Sequence, residues 1–321
     1  MKVGFIGLGN VGARLANTLH RNEVDLTVLD ASETALAPFK ERNVPVASDP
    51  AAMARTCDLV ITCLPSPAIC AEVVEGRNGL LEGISAGTIW AEMSTTDSSE
   101  VKRLGRLVQE AGGQVVDCPV SGGCHRAATG NISILAGCER SVFEKVLPIL
   151  TTLGRRILHT GDLGTASALK VVTNYLATAN LLSVCEALVT CKASGLDLNV
   201  AYEAIRISSG NSFVHETEGQ IILNGSRNID FTMDLVLKDI GLFQDMADES
   251  GVELEINPLL IEIFKDGAQR FGHRANSPSI IERLEAQSGV KALADSFPTS
   301  IVDDEPEVQG QEVIVSADPI P

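Results

Sequence analysis

Up to about residue 160, short runs of β-branched and other apolar residues alternate with longer stretches whose apolar positions recur every three to four residues. The short runs predict strands at 2–6, 26–29, 59–64, 88–91, 114–117 and 132–135, and the longer ones predict helices at 11–21, 32–42, 98–111 and 140–150. Strand and helix in alternation imply an α/β domain over residues 1–161, a doubly wound and mainly parallel sheet with crossover helices. After Gly161 the strand pattern stops. Residues 165–194 contain neither Pro nor Gly and predict one long helix, and further helical patterns follow at 198–207, 233–249, 258–271 and 278–287. Residues 162–295 therefore read as a second, all-α domain. From residue 296 the chain, SFPTSIVDDEPEVQGQEVIVSADPIP, is rich in Pro and acid with scattered apolar residues. That composition predicts a disordered or loosely attached acidic tail, with a docking segment as the alternative, and a tail whose removal leaves turnover intact.

A length of 321 residues suits these two domains. The formal net charge of -17, with no basic run, excludes a nucleic-acid partner, because phosphate binding needs a basic stripe. The 8 cysteines form no CxxC pair or His/Cys cluster of zinc spacing, so reduced thiols and no bound metal are expected. The opening MKVGFIGLG reads as strand and turn rather than as a targeting leader, and no apolar stretch of about 18 residues is free of charge or punctuation. No membrane partner and a cytoplasmic location are the corresponding expectations.

Gly7-Leu8-Gly9-Asn10-Val11-Gly12 is a GxGxxG motif placed between an apolar strand and a helix. In that setting the first two glycines allow a tight turn and close approach to a pyrophosphate. The third lets helix and strand pack, and the helix N-terminus supplies positive dipole and N–H donors. Asp30 ends the second predicted strand, 18 residues after Gly12, where a carboxylate accepts hydrogen bonds from the adenosine ribose hydroxyls. It would repel a 2′-phosphate and no arginine follows at once, so the cofactor expected is NAD rather than NADP.

Three further segments carry candidate chemistry. Ser121-Gly122-Gly123, after a predicted strand, offers a hydroxyl and unhindered backbone N–H groups suited to a carboxylate. Lys170 and Asn174 lie four apart on the long helix and so share a face. The third segment runs from Phe231 to Asp239. Of the five histidines, His20, His125, His159, His215 and His273, none lies in a segment resembling a His–carboxylate dyad.

The segments GFIGLGNVG, TCLPS at 62–66, AEMST at 91–95, DCPVSGG at 117–123, GTASALKVVTN at 164–174 and LKD at 237–239 together resemble the β-hydroxyacid dehydrogenase family, over nearly the whole chain to about residue 290. This family includes 3-hydroxyisobutyrate dehydrogenases and tartronate semialdehyde reductases. The resemblance implies that Leu64, Pro65 and Thr95 line the cofactor, that Ser121, Gly122 and Gly123 hold the substrate carboxylate, and that Lys170 is the catalytic acid/base. Asn174 would orient the substrate and Lys238 would lie near the cofactor. Residues 208–213 fall where family members contribute pocket walls, and a homodimer or homotetramer is implied as well.

The chain departs from the family pattern after SGG. Arg126 replaces a small residue and could bind a second anionic group, with His125 beside it. Thr173 stands where many relatives carry the first of two asparagines, and Val11 where methionine is usual. The reaction expected is NAD-dependent interconversion of a short 3-hydroxy acid, 3-hydroxyisobutyrate first, and its semialdehyde. Tartronate semialdehyde reduction and oxidation of L-serine or 3-hydroxypropionate are alternatives, as is a non-catalytic cofactor-binding adaptor. Lys170 and the intact Ser121-Gly122-Gly123 argue against the adaptor and against an imine reductase.

Overall fold

The computed structural model describes residues 1–315, so the last six residues of the expected tail lie outside the described residues. Two compact units are present. The first joins Met1–Lys170 to the described chain from Asp303 onward, and the second is Val171–Val302.

In the first unit, β1 (Val3–Ile6), α1 (Asn10–Arg21), β2 (Leu26–Leu29), α2 (Glu33–Glu41), α3 (Pro50–Thr56), β3 (Leu59–Thr62), α4 (Pro67–Glu75), β4 (Ile89–Glu92), α5 (Ser98–Glu110) and β5 (Gln114–Asp117) form the parallel, doubly wound part. There follow β6 (Val120–Ser121), α6 (Gly123–Thr129), β7 (Ile132–Gly137), α7 (Arg140–Leu153) and β8 (Gly154–Gly161). The strand order is β2-β1-β3-β4-β5-β7-β8-β9, where β9 is Gln311–Glu312, and β6 pairs with β7. Strands β2, β1, β3, β4 and β5 are mutually parallel, whereas β5 meets β7 antiparallel.

Every residue of β1, β3 and β4 is buried, as a parallel strand covered on both faces requires. Alternate side chains feed two cores. Phe5 and Ile61 join Leu15 and Phe143 in one, while Ile6, Val60 and Trp90 join Met53 and Leu104 in the other. The sheet order reverses between β2 and β3 about β1, which places the loops after β1 and β3 at a topological switch point.

The expected strands and helices are present to within a few residues, and several elements appear that the pattern did not predict. α3 and α4 are short and rich in small residues, but each starts with Pro after a capping side chain, Asp49 for Ala52 N at 2.7 Å and Ser66 for Ile69 N at 3.3 Å. β8 was hidden by its composition, GRRILHTG, in which only Gly154 and Ile157 are buried.

The tail corrects the expectation of disorder. From Asp303 it runs back along the first unit and adds β9 to β8 in parallel, with Gly310 N donating to Thr151 O at 2.8 Å and Val313 N to Ile157 O at 2.7 Å. Its acids are not a solvated run, because they meet basic partners remote in sequence. Glu305 pairs with Arg126 at 3.2 Å and Arg155 at 2.7 Å, Glu307 with Arg21 at 2.9 Å, and Glu312 with Arg140. Composition alone cannot reveal partners separated by 150 to 286 positions.

The second unit is helical. α8 (Thr165–Ala193) starts in the first unit and continues into the second, followed by α9 (Leu198–Arg206), α10 (Phe213–Asn224), α11 (Met233–Glu249), α12 (Ile256–Phe271), a 3-10 turn at Ser277–Ile281 and α13 (Glu282–Ser288). Leu181, Cys185, Leu188, Val236, Ile240 and Phe264 lie in its core. The 3-10 turn and α13 replace the single helix expected at 278–287. α10 was not predicted, although Ser212 caps it through His215 N at 3.1 Å. One described helix, α8, is long and apolar enough to cross a bilayer by length and composition, although Lys170 and Glu186 bound its uncharged run. In this structure its Leu181, Val184, Cys185, Leu188 and Val189 are part of the unit's core.

Hydrogen bonds from Arg140 hold the Glu312 carboxyl below its ordinary pKa. At Asp303 and Glu307 partial burial pushes upward, but hydrogen bonds from Thr129 and Asn131, and from Arg21 and Asn22, outweigh it and the net shift is down. A lowered folded pKa stabilises docking fully above the ordinary carboxylate range and loses that contribution as pH falls through the lowered value. Protection of the Val313 amide, the slowing of its exchange relative to the unstructured rate at the same pH, is therefore expected to be high at neutral pH and to fall below about pH 4, before that of the β1 and β3 amides. Protection of Val313 that persists until the whole sheet unfolds would contradict this.

Candidate active site

The loop after β1 is built by exclusion. A Cβ on Gly7 would lie 2.3 Å from Cys63 O, and one on Gly12 2.0 Å from Gly7 O, whereas a Cβ on Gly9 would meet nothing within 4 Å. Gly7 thus lets the β1 and β3 loops touch, Gly12 lets α1 pack on the loop, and the space over Gly9 is left to a ligand. α1 begins at Asn10 with no side-chain cap hydrogen bond at Gly9, so its first N–H groups face outward from Val11 and its neighbours at a positive helix end. Asp30, at the end of β2, accepts Leu8 N at 2.6 Å and Ser32 N at 2.7 Å. The carboxylate is thereby fixed beside the glycine loop with lone pairs remaining for hydroxyl donors. These features fit a dinucleotide, with its pyrophosphate at the α1 terminus and its ribose at Asp30.

Leu64, Pro65 and Thr95 follow β3 and β4, and a buried carboxylate that sequence reading passed over joins their segments. Glu92, with no exposure, accepts Thr62 Oγ1 at 2.6 Å, Cys70 Sγ at 2.8 Å and Ser94 N at 2.6 Å. Trp90 Nε1 donates to Thr62 Oγ1 at 2.8 Å, and Leu64 N donates to Ser94 Oγ at 2.7 Å. Burial raises the Glu92 pKa, and the hydrogen bonds from Cys70, Ser94 and Thr62 oppose that rise. The AEMST segment contained the signal: an acid within an otherwise apolar strand must find donors.

A second buried carboxylate, Asp117, ends β5. It accepts Gly164 N at 2.8 Å and Ser167 N at 2.7 Å, and so caps the start of α8. Gly137 makes room, since a Cβ there would lie 2.5 Å from Asp117 Oδ1. Burial raises the pKa of Asp117 against those same hydrogen bonds. Lys170 follows Ser167 by one turn of α8 and is 7% exposed. Four residues after Asp117 in the other direction, Ser121 ends β6, and Gly122 and Gly123 turn into α6 with φ of 126° and 84°. Only glycine adopts both values without strain, and the turn exposes successive N–H groups. Asp117 therefore ties the strand end leading to Ser121-Gly122-Gly123 to the helix that carries Lys170.

Arg126 folds back over the turn, its Cδ 3.1 Å from where a Gly122 Cβ would be, and its guanidinium meets Glu305. Burial, then the Arg126 charge, lowers the pKa of His125, which favours the neutral ring. His159 and His215 are bonded to the carbonyls of Cys138 at 2.8 Å and Tyr202 at 2.9 Å, which are structural roles.

In the second unit, Asn174 Nδ2 donates to Asp239 Oδ2 at 2.5 Å, and Lys238 Nζ lies 3.0 Å from Asp239 Oδ1. Asp239 is 2% exposed. It is the last residue of LKD and brings Asn174 and Lys238 to one carboxylate. Sequence reading gave it no role, although a buried acid beside a lysine was there to be noticed.

A Rossmann sheet with a glycine loop, a ribose-directed acid and a buried lysine on a capped helix defines a nicotinamide dinucleotide-dependent oxidoreductase. Residues 2–161 match the NAD binding domain of 6-phosphogluconate dehydrogenase, and residues 164–284 the NAD-binding domain of NADP-dependent 3-hydroxyisobutyrate dehydrogenase. The chain belongs to the β-hydroxyacid dehydrogenase family. It is 33% identical to 2-(hydroxymethyl)glutarate dehydrogenase of Eubacterium barkeri over 90% of this chain and 97% of that one. It is 32% identical to mitochondrial 3-hydroxyisobutyrate dehydrogenase of Mus musculus, over 89% and 87%. With 3-sulfolactaldehyde reductase of Escherichia coli K12 it shares 28% identity over 90% and 98%. The fold is that of 3-hydroxyisobutyrate dehydrogenase from Salmonella typhimurium, with a TM-score of 0.80 at 22% identity, covering 88% of this chain and 99% of that one.

Replacing Glu92 by Ala leaves three donors without their acceptor in a dry site, at a cost of about 2 kcal/mol. The expected result is a lower midpoint of chemical unfolding and weaker NAD binding, with Glu92→Gln less affected than Glu92→Ala. An unchanged midpoint for Glu92→Ala would show that the network does not support the β3 and β4 loops.

Proposed function

We propose that this oxidoreductase interconverts a short 3-hydroxy acid and its semialdehyde, with NAD as the hydride carrier and 3-hydroxyisobutyrate as the first substrate to test. The observation that carries the reading is Lys170, buried on a helix whose N-terminus Asp117 fixes to the strand end that leads to Ser121-Gly122-Gly123. A bound nicotinamide ring supplies the hydride acceptor in oxidation and the donor in reduction.

The Ser121 hydroxyl and the N–H groups of the Gly122-Gly123 turn hold the substrate carboxylate. Lys170 Nζ, unprotonated, accepts the proton of the hydroxyl during oxidation and, as the ammonium, returns it to the aldehyde oxygen during reduction. Asn174, one turn further along α8 and held by Asp239, orients the substrate. Preference for NAD over NADP rests on Asp30, whose carboxylate disfavours a 2′-phosphate. The substrate class has further support in the relatives' names: 2-(hydroxymethyl)glutarate, 3-hydroxyisobutyrate and 3-sulfolactaldehyde each pair an anionic group with an alcohol or aldehyde. We also propose a homodimer or homotetramer, supported by large apolar side chains left exposed on the helical unit, among them Val200 at 68%, Ile207 at 79% and Leu259 at 58%.

Absorbance at 340 nm, with NAD and NADP tested separately, is the direct assay. Turnover of 3-hydroxyisobutyrate with NAD is expected, and Lys170→Ala should lower kcat by about 10²- to 10⁴-fold while NAD still binds. A Lys170→Ala enzyme with unreduced kcat would remove the lysine from the mechanism.

A further inference from the structure

The described tail wraps one small helix. Asp303 accepts Thr129 Oγ1 and, at 2.8 Å, Asn131 Nδ2, which also donates to Glu305 O at 2.9 Å. The Glu305 carboxylate meets Arg126 at 3.2 Å and Arg155 at 2.7 Å. Glu307 passes Gly130, where a Cβ would lie 3.0 Å from its Oε1, on the way to Arg21 and Asn22. Gly310 then seats on Gly154, so close that a Cβ on Gly310 would lie 1.9 Å from Gly154 O. Every one of these contacts lies within the first unit.

The helix so wrapped is α6, whose first turn is Gly122-Gly123. Seven residues long, it has no side-chain cap at its N-terminus, and Thr18 of α1 bonds to its Ala127 carbonyl at 3.0 Å. A helix this short is not stable by itself and takes its position from its neighbours. Arg126 is the link to the turn, since its stem rests on Gly122 while its head is held by the tail.

We propose that Glu305 is a positioning residue for the reaction, holding Arg126 over Gly122 so that the Gly122-Gly123 turn keeps the shape that receives the substrate carboxylate. This rests on the reading of Ser121-Gly122-Gly123 as the carboxylate cradle. The strap lies beyond the residues matched by the family models, which end at 284. It assigns Arg126 a supporting role in place of direct contact with a second anionic group, and it reverses the expectation that the tail is dispensable.

The test compares KM for 3-hydroxyisobutyrate with KM for NAD in four enzymes: Glu305→Gln, Glu305→Asp, a chain truncated after Val302, and Ser121→Ala. Partly exposed ion pairs contribute modestly, so Glu305→Gln should raise KM for the hydroxy acid about fivefold. KM for NAD and kcat should change much less, truncation should act in the same direction, and Glu305→Asp should recover most of the loss. If Ser121→Ala raises KM for the acid but Glu305→Gln and the truncated chain do not, the strap has no positioning role and the cradle stands. If Ser121→Ala leaves that KM unchanged, the cradle reading fails and the inference falls with it. Equal increases in both KM values, or a fall in melting temperature that accounts for the loss, would assign Glu305 a structural role only and overturn the proposal.

Discussion

The site depends first on a carboxylate that water does not reach. Asp117 has no solvent exposure and uses its two oxygens on Gly164 N, just before α8, and Ser167 N, in its first turn. A helix start must find acceptors for those donors, and a buried acid must find donors, so each requirement is met by the other. The consequence reaches function because β5, whose position is set by the parallel sheet, thereby sets the origin of the helix that carries Lys170. Gly137 belongs to the same constraint, since any side chain there would occupy the place of the Asp117 oxygen.

Glu92 does for the loops after β3 and β4 what Asp117 does for the start of α8. It closes a chain of hydrogen bonds from Trp90 through Thr62, and takes Cys70 and Ser94 as well. Parallel strands that run straight through a core carry no polar side chain without reason, and both carboxylates stand at the carboxyl ends of their strands, where a doubly wound sheet binds ligands. Burial raises the pKa of each, and hydrogen bonds supplied from fixed neighbours oppose that rise. Loops that must hold a ligand are in this way anchored by polar ties at their bases.

Most of the α/β unit was legible because its elements have strong periodicity and its glycine loop sits in register with strand, helix and Asp30. What escaped notice did so for physical reasons. β8 carries Arg155, Arg156 and His159 on a strand with little burial, so it lacks an apolar signature. α3 and α4 are too short for periodicity and announce themselves only through Asp49-Pro50 and Ser66-Pro67. The tail shows acid and Pro, as a disordered segment would, and its order comes from arginines far away in sequence. Among the site residues, local motifs led to Lys170, Asn174 and the Ser121-Gly122-Gly123 turn. Asp117, Glu92 and Asp239 stand inside those same motifs, but their importance comes from burial and from partners in other segments, which no single window displays.

The most direct test of the account is Asp117→Asn, measured by kcat for 3-hydroxyisobutyrate together with hydrogen exchange at the Gly164 and Ser167 amides. An amide in place of the carboxylate turns one acceptor into a donor facing an N–H group, so one end of the cap is lost. The account expects faster exchange at both amides and a fall in kcat of about tenfold or more, with NAD affinity little changed, because Lys170 loses its fixed origin while the glycine loop does not. Wild-type kcat with accelerated exchange would mean that the cap is present but that the lysine does not depend on it, and the central claim would be wrong.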